Sequence, residues 1–592
     1  MRAAGLALLL AVIVAFVYRE APGNQFHFDD YHNIVDYGPV RMQQPSLAAL
    51  LEAFTNPRLA HRNVASLTFA VDWWRGGGEP RAFLQTNVLL HVLAALAAFL
   101  FARQVLLRLK PDDPGIVLPA AFGVALLWAL HPINSQAVNL IVQRMTILAT
   151  LFVLLSLSCY LAGRSAKSPR SSAWFAAAGL FGVLGAFSKE TAWILPLLVL
   201  ALEYGVVRHG QALVRNRLDT LLLSLPFIAA ALVVLDLASG SGPISRNFLP
   251  GYEYRSFTMQ ERLLTQPRVV LFYLSLVLWP LSGRFSLEHD FVVSTSLASP
   301  PATIPGVLAV ALLLLAAVYL FVRPRTRLPG FLLLWPAITL AIESSFIPLE
   351  MVFEHRMYLP LVGITLLAGA AWVAVHDRWR AYSAPFAAVI AVVALALGLS
   401  TVERTTLWRE PLLLNEDAVK KAPGSSRAWS NLGMQRYLSG DQAGAIAALE
   451  KAIELSDGKE KKALEHLGVI QLDLGNLDRA ESLIERAYRM QWQSPEPSLL
   501  NHMGEVAMAR ERYASAVALF DRAIRMAPWK SAYYWNIALA YEGLGKCSLA
   551  LQYWREYMAL EPDPDSRREV EQHIRENHGR GTQYCGEALQ PQ

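Results

Sequence analysis

Eleven runs of apolar residues crowd the first four hundred positions, at 3–18, 83–102, 115–131, 139–163, 172–188, 190–207, 217–238, 303–322, 329–347, 357–375 and 383–401. Runs of about 17 or more residues are long enough to cross roughly 30 Å of hydrocarbon as helix. Inside a bilayer every backbone N–H and C=O must be satisfied within the segment, so such runs have to be helical. The expected class is therefore all-α, a polytopic bundle of about eleven spans. A twelfth run, 269–282, has about 13 apolar residues and ends in Trp279-Pro280; that length reads as a re-entrant or interfacial segment. The whole chain of 592 residues is 54% hydrophobic and 17% charged, the balance of a membrane protein with a soluble appendage.

The formal charge of +5 resides mainly in short loops between the apolar runs. Arg103, Arg108 and Lys110 follow the second run, Arg164, Lys167 and Arg170 the fourth, and Arg208, Arg215 and Arg217 the sixth. Every second loop is basic, which assigns those loops to the cytoplasm and argues against a nucleic-acid footprint. With 269–282 not crossing, Arg323 to Arg327 and His376 to Arg380 also fall on that side. Loop 19–82, the His131 turn, the Ser188-Lys189-Glu190 turn, segment 239–266 and the C-terminal region then lie on the other. The first run, Ala3 to Val17, lacks a convincing small-x-small site after it and reads as a retained span.

Past residue 405 the composition changes to a repeat. From Ser426 the chain places Trp429, Leu432, Gly433, Ala445, Leu449 and Ala452 at the offsets of a tetratricopeptide motif, and the phase recurs from Lys461, Pro497 and Ser531. Ala418 and Pro423 fit the end of an incomplete repeat preceding these. The expected domains are 1–404 in the membrane, an extracytoplasmic solenoid over 405–578 and a tail over 579–592. Stacked helix pairs create a concave groove, which suits either an acceptor or partner protein or a scaffold that only thickens the exterior. Of three cysteines, Cys159 lies in an apolar run; Cys547 and Cys585, outside the cytoplasm, either pair or stay as thiols.

Four polar clusters fall at the ends of apolar runs on that outer side, where unpaired burial costs several kcal/mol. The first is Asp29-Asp30 with His27 and His32; adjacent carboxylates point apart, so one can serve as a base while the other anchors the loop or a cation. The second is His131-Pro132 with Arg144 beyond it, an arginine that needs a lipid phosphate or a protein carboxylate. The third is Lys189, set to hold a phosphate or to pair with Glu190. The fourth is Glu354-His355-Arg356 with Tyr358, for which interfacial anchoring is the plain alternative. His289, between Glu288 and Asp290, sits too loosely for a metal signature but leaves room for a divalent cation. Walker, dinucleotide, nucleophile-elbow and zincin motifs do not occur.

In order, Phe28-Asp29-Asp30, His131-Pro132 through Arg144 and Tyr160, Ser188-Lys189-Glu190, Ser286 to Asp290, Glu354 to Pro360 and the stretch from Trp408 into the repeats resemble the transmembrane and tetratricopeptide repeat containing family of GT-C glycosyltransferases, in a bacterial form. The resemblance implies transfer of a sugar from a polyprenyl-phosphate donor to a protein hydroxyl at the outer membrane face, in a bacterium the periplasmic face of the inner membrane. It implies Asp30 or Asp29 as base, with Asp30 favoured; Arg144, Lys189, Arg356 and His355 on the donor phosphate; and His131, Glu190, Glu354, Tyr358 and His289 in support. The partners implied are the lipid-linked donor, an acceptor protein in the repeat groove and the bilayer. No cofactor is required. Two alternatives remain at this point: a GT-C enzyme that modifies lipid or polysaccharide, including an oligosaccharyltransferase, and a non-enzymatic assembly scaffold.

Overall fold

The computed structural model describes residues 2–56, 61–491, 495–561 and 563–577. Among them every regular element is helical. The chain forms two compact units: residues 1–30 with 42–410, and residues 31–41 with the chain from Pro411 onward.

In the first unit eight helices are long and apolar enough to cross a membrane: Arg2–Gly23, Pro80–Leu109, Ile141–Ser165, Glu190–Val207, Arg217–Ser239, Thr303–Val322, Pro360–Arg378 and Arg380–Leu407. The 115–131 run is one arm of a pair, Pro114–Ala129 and Pro132–Asn139, bent by 52°. Two runs expected to span give shorter helices, Arg170–Ala186 with 17 residues and Arg327–Leu340 with 14. These helices suit a multi-pass membrane protein: among the described residues eight are long and apolar enough to cross, or nine if the bent pair counts as one span.

Arg327–Leu340 stops early because the chain beyond it has other partners. The carbonyls of Glu343, Ser345 and Leu349 accept from the buried Arg262 guanidinium at 2.6, 2.8 and 2.6 Å, so irregular backbone is satisfied by a side chain rather than by helix. Arg262 itself belongs to Met259–Leu278, whose cap is a reciprocal Thr258–Glu261 box. The 269–282 run is therefore mostly the C-terminal part of one 20-residue helix with a polar first turn, not a short hairpin.

Loop 19–82 is largely structured, with helices Leu47–Thr55 and Asn63–Gly76. The unit's core gathers Trp128, Trp335 and Tyr358, each fully buried. The Trp128 indole donates to Tyr358 O at 2.9 Å and the Trp335 indole to Leu359 O at 2.9 Å, which pins the start of Pro360–Arg378 between two aromatic spans.

The second unit stacks four helix pairs, whose first helices are Ser426–Leu438, Lys461–Asp473, Pro497–Ala509 and Ser531–Gly543, with Pro411–Lys421 before them and Pro564–Asn577 after. The eighth position of a repeat must be small because the second helix presses on it. A Cβ on Gly433, Gly468 or Gly504 would stand 2.6 Å from Leu449, 2.5 Å from Ile484 or 2.4 Å from Phe520. Cys585, one half of the pairing weighed above, lies outside the described residues.

Candidate functional site

The hub of the first unit's polar interior is the start of the helix Arg144–Ser165. Just before it, Ile141 N and Val142 N donate to Asp30 at 3.3 and 2.7 Å, and His27 N closes a third bond at 3.0 Å. Asp30 is fully buried. Burial pushes its carboxyl up to about 7, against the opposing pull of the three amides, while the Asp29 charge adds to the rise. His27 Nε2 donates to Trp408 O, 2.9 Å away, and burial lowers its imidazole to about 4. Between them Phe28 takes a left-handed φ of +47°, a conformation that costs a bulky residue about 1 kcal/mol and turns the next two carboxylates apart. Asp30 points inward; Asp29 is exposed.

Arg144 occupies the other side of the hub, fully buried. Its Nη2 meets Asp72 Oδ2 at 2.6 Å and Phe83 O at 2.7 Å, its Nε donates to Asn87 Oδ1 at 2.7 Å, and Phe69 lies under the guanidinium at 4.8 Å. Of the two partners considered for it, a lipid phosphate or a protein carboxylate, the carboxylate is present, so the guanidinium is committed inside the protein.

Two residues along the helix, Thr146 Oγ1 accepts from Lys189 Nζ at 3.0 Å, and that ammonium also meets Glu343 at 2.9 Å. Lys189 pairs with Glu343, 154 residues away, rather than with its neighbour Glu190. Glu190 pairs instead with Arg62 at 3.1 Å.

Arg356 completes the group. Its Nη1 donates to Met351 O at 3.0 Å, Phe353 lies beneath it at 5.4 Å, and it contacts the Tyr273 hydroxyl, but among the described residues it forms no ion pair. His355, on the same turn, receives the fields of Lys189, Arg356 and Arg62; burial first, then these cations, hold its imidazole well below the usual range. Gln136 Oε1 accepts from both His355 N at 2.9 Å and His355 Nδ1 at 3.0 Å. An oxygen that already accepts the backbone N–H fixes the amide orientation, so Nδ1 carries the proton and Nε2 is the open nitrogen. Arg62, Lys189, Arg262 and Arg356 thus share one neighbourhood, in which Glu190 pairs with Arg62 and Glu343 with Lys189 while, among the described residues, Arg262 and Arg356 form no ion pair. An anion fits that excess.

The supporting residues spread around this core. Glu354, fully buried, accepts from Ser286 N at 2.7 Å and His289 Nε2 at 3.0 Å, which fastens the 285–290 loop. His131 caps its own turn through Ile133 N at 3.2 Å and reaches Val277 O at 3.2 Å. The Tyr358 hydroxyl meets His91 Nδ1 at 2.6 Å inside the aromatic core. Among the described residues no three His, Cys, Asp or Glu side chains converge as a metal would require.

Sequence reasoning did not single out Arg62, Asp72, Glu343 or Arg262. Glu343 carried a signal, a carboxylate closing an otherwise apolar run.

Comparison with known proteins adds two findings. A tetratricopeptide-repeat family model matches residues 443–495 and 502–566. The protein O-mannosyl-transferase F38B6.6 of Caenorhabditis elegans is 21% identical over 72% of this chain, and human protein O-mannosyl-transferase TMTC4 is 24% identical over 74%. Mouse protein O-mannosyl-transferase TMTC1 is 30% identical over 26% of the chain. The chain is thus similar to these proteins, and it spans 59% of the nematode protein's length, 65% of human TMTC4 and 17% of mouse TMTC1, less than two thirds of each.

Proposed function

We propose that this protein transfers a hexose, mannose if it follows the names of its relatives, from a polyprenyl-phosphate donor to a hydroxyl of an acceptor protein, at the extracytoplasmic face of the membrane. The observation that carries the reading is the excess of buried positive charge around Arg356. A lipid-phosphate leaving group needs charge neutralisation, and a preformed, water-poor set of cations supplies it without reorganisation. Arg356 takes the phosphate directly, Lys189 and Arg62 set the field, and neutral His355 offers Nε2 to a donor hydroxyl.

Asp29, rather than Asp30, is the base. A general base has to be reachable by the acceptor hydroxyl; Asp30 is buried with both oxygens on backbone N–H groups, whereas Asp29, one residue away, is exposed at the surface. Asp30 and Arg144 are positioning residues that lock the loop and the helix start. The solenoid lies on the same side as the acceptor, in a bacterium the periplasm.

The test uses purified protein in liposomes with a polyprenyl-phosphate sugar labelled in the sugar. Label entering protein, lost in Arg356→Ala and Asp29→Asn, supports the reading. Label appearing only on lipid or polysaccharide selects the polymer-modifying alternative, and no transfer by any form selects the scaffold.

A further inference from the structure

The eleven residues after the carboxylate pair do not stay with the membrane unit. Asp30 is clamped there, yet Tyr31–Arg41 belongs to the second unit, and the chain returns at Met42. The segment is folded, with a π-turn over Tyr31–Val35 and a 3-10 turn over Gly38–Val40. Its two leading residues are exposed, and Asn33, Ile34, Tyr37 and Val40 are buried.

The link that leads into the fourth repeat packs against the middle of this segment. The Trp529 indole N–H donates to Asp36 O, and Lys530 forms an ion pair with the Asp36 carboxylate. Tyr37 meets the Trp529 ring edge-on at 5.2 Å and 84°. The backbone comes so close at Gly38 that a Cβ there would stand 2.6 Å from Trp529 Cβ. Tyr533, on the first helix of that repeat, is buried; burial first, and then the nearby charge of Asp36, raises its phenol. Arg41, at the other end of the segment, feels Asp36 and Glu561. An aromatic anchor, a backbone hydrogen bond, a matched charge and a close approach at a glycine together make a built seat for this folded turn on the solenoid.

We propose that the entry to the fourth repeat, Trp529-Lys530 with Tyr533 behind it, takes the chain's own segment Tyr31–Arg41 as its ligand in cis, and thereby holds the stretch that begins at Asp29-Asp30. The seat reads an acidic-aromatic-glycine turn, Asp36-Tyr37-Gly38. Its effect on catalysis rests on the glycosyl-transfer reading; the seat itself does not. The solenoid is then a positioning arm for the loop of the base, with Asp36 and Trp529 as positioning residues.

Hydrogen–deuterium exchange on the full chain in detergent tests this directly. Amides of Asp36, Val40 and Arg41, hydrogen-bonded within the segment, exchange slowly in wild type. Trp529→Ala accelerates them about tenfold, the worth of one hydrogen bond and one aromatic pair. Lys530→Glu, which sets two carboxylates against each other at a half-exposed site, accelerates them about threefold. Asp36→Lys combined with Lys530→Glu returns the rate to within about twofold of wild type, which a merely local structural defect would not do. Unchanged exchange in both single variants, or a double variant faster than either, overturns the seat. Transfer measured on the same preparations separates the two readings. Loss in Trp529→Ala and Lys530→Glu with recovery in the double variant ties the seat to the base. Slow exchange in wild type with no transfer by any form keeps the seat and removes the glycosyl-transfer reading.

Discussion

Arg144 offers the sharpest test of which cations are structural. Replacing it with Met leaves Asp72, a carboxylate only 4% exposed, without its 2.6 Å partner, and strips Asn87 Oδ1 of its donor. Breaking a buried pair from one side costs about 3–5 kcal/mol, and the residual hold of Arg75 at 3.0 Å and Thr86 at 2.8 Å on Asp72 puts the expectation at the lower end. Adding Asp72→Leu removes the stranded charge while Asn87 Oδ1 stays unsatisfied, so about 2 kcal/mol returns and the rest does not. The assay is unfolding by SDS titration in bicelles, followed on each variant together with donor-dependent transfer. A clamp predicts that stability and transfer fall together in Arg144→Met and recover together in the double variant. Recovered stability with transfer still absent would show that the guanidinium acts on the donor, and unchanged stability in the single variant would refute the burial argument outright.

Other outcomes follow from the same geometry. Arg356→Ala leaves unfolding unchanged within about 1 kcal/mol but weakens donor binding about 10- to 100-fold, the worth of one or two charge-assisted hydrogen bonds, with Arg356→Lys intermediate; titration with a short-chain polyprenyl phosphate reads it. Asp29→Asn lowers kcat about 10²- to 10⁴-fold at unchanged stability, whereas Asp30→Asn acts on stability first. Because Asp30 binds its proton more tightly in the folded state, about 7 against an ordinary 3.8, the folded chain holds more protons than the unfolded one between these values, so its contribution weakens as pH rises through that window and is lowest above 7; the difference in unfolding midpoint between pH 5 and pH 8 shrinks in Asp30→Asn. Gly468→Leu, with Ile484 2.5 Å from the new Cβ, destabilises the solenoid by about 1–3 kcal/mol, read as a lowered melting midpoint.

The repeats were legible because their constraint is local in sequence: Gly433 must accommodate Leu449 and Gly468 must accommodate Ile484, sixteen positions apart in each case. Most spans were legible for a similar reason, since apolar length alone decides them. The early stop at Leu340 was not, because its cause is Arg262, on a different helix, capturing the carbonyls that follow. Lys189 and Glu190 are neighbours and look like a pair; only the fold brings Glu343 to the one and Arg62 to the other. The two adjacent aspartates illustrate the limit best. Identity and spacing mark both as candidates, but which is buried depends on amides at positions 141 and 142 and on the left-handed turn at Phe28. The seating of Tyr31–Arg41 at the entry to the fourth repeat joins positions nearly five hundred residues apart and leaves no periodic trace.

The central claim is tested most directly by intact-mass analysis of membrane and envelope proteins from cells that make wild type, Asp29→Asn or Arg356→Ala at equal abundance. Glycosyl transfer predicts a specific protein that carries a hexose-sized increment with wild type and loses it with both variants. Identical protein masses in all three would contradict it.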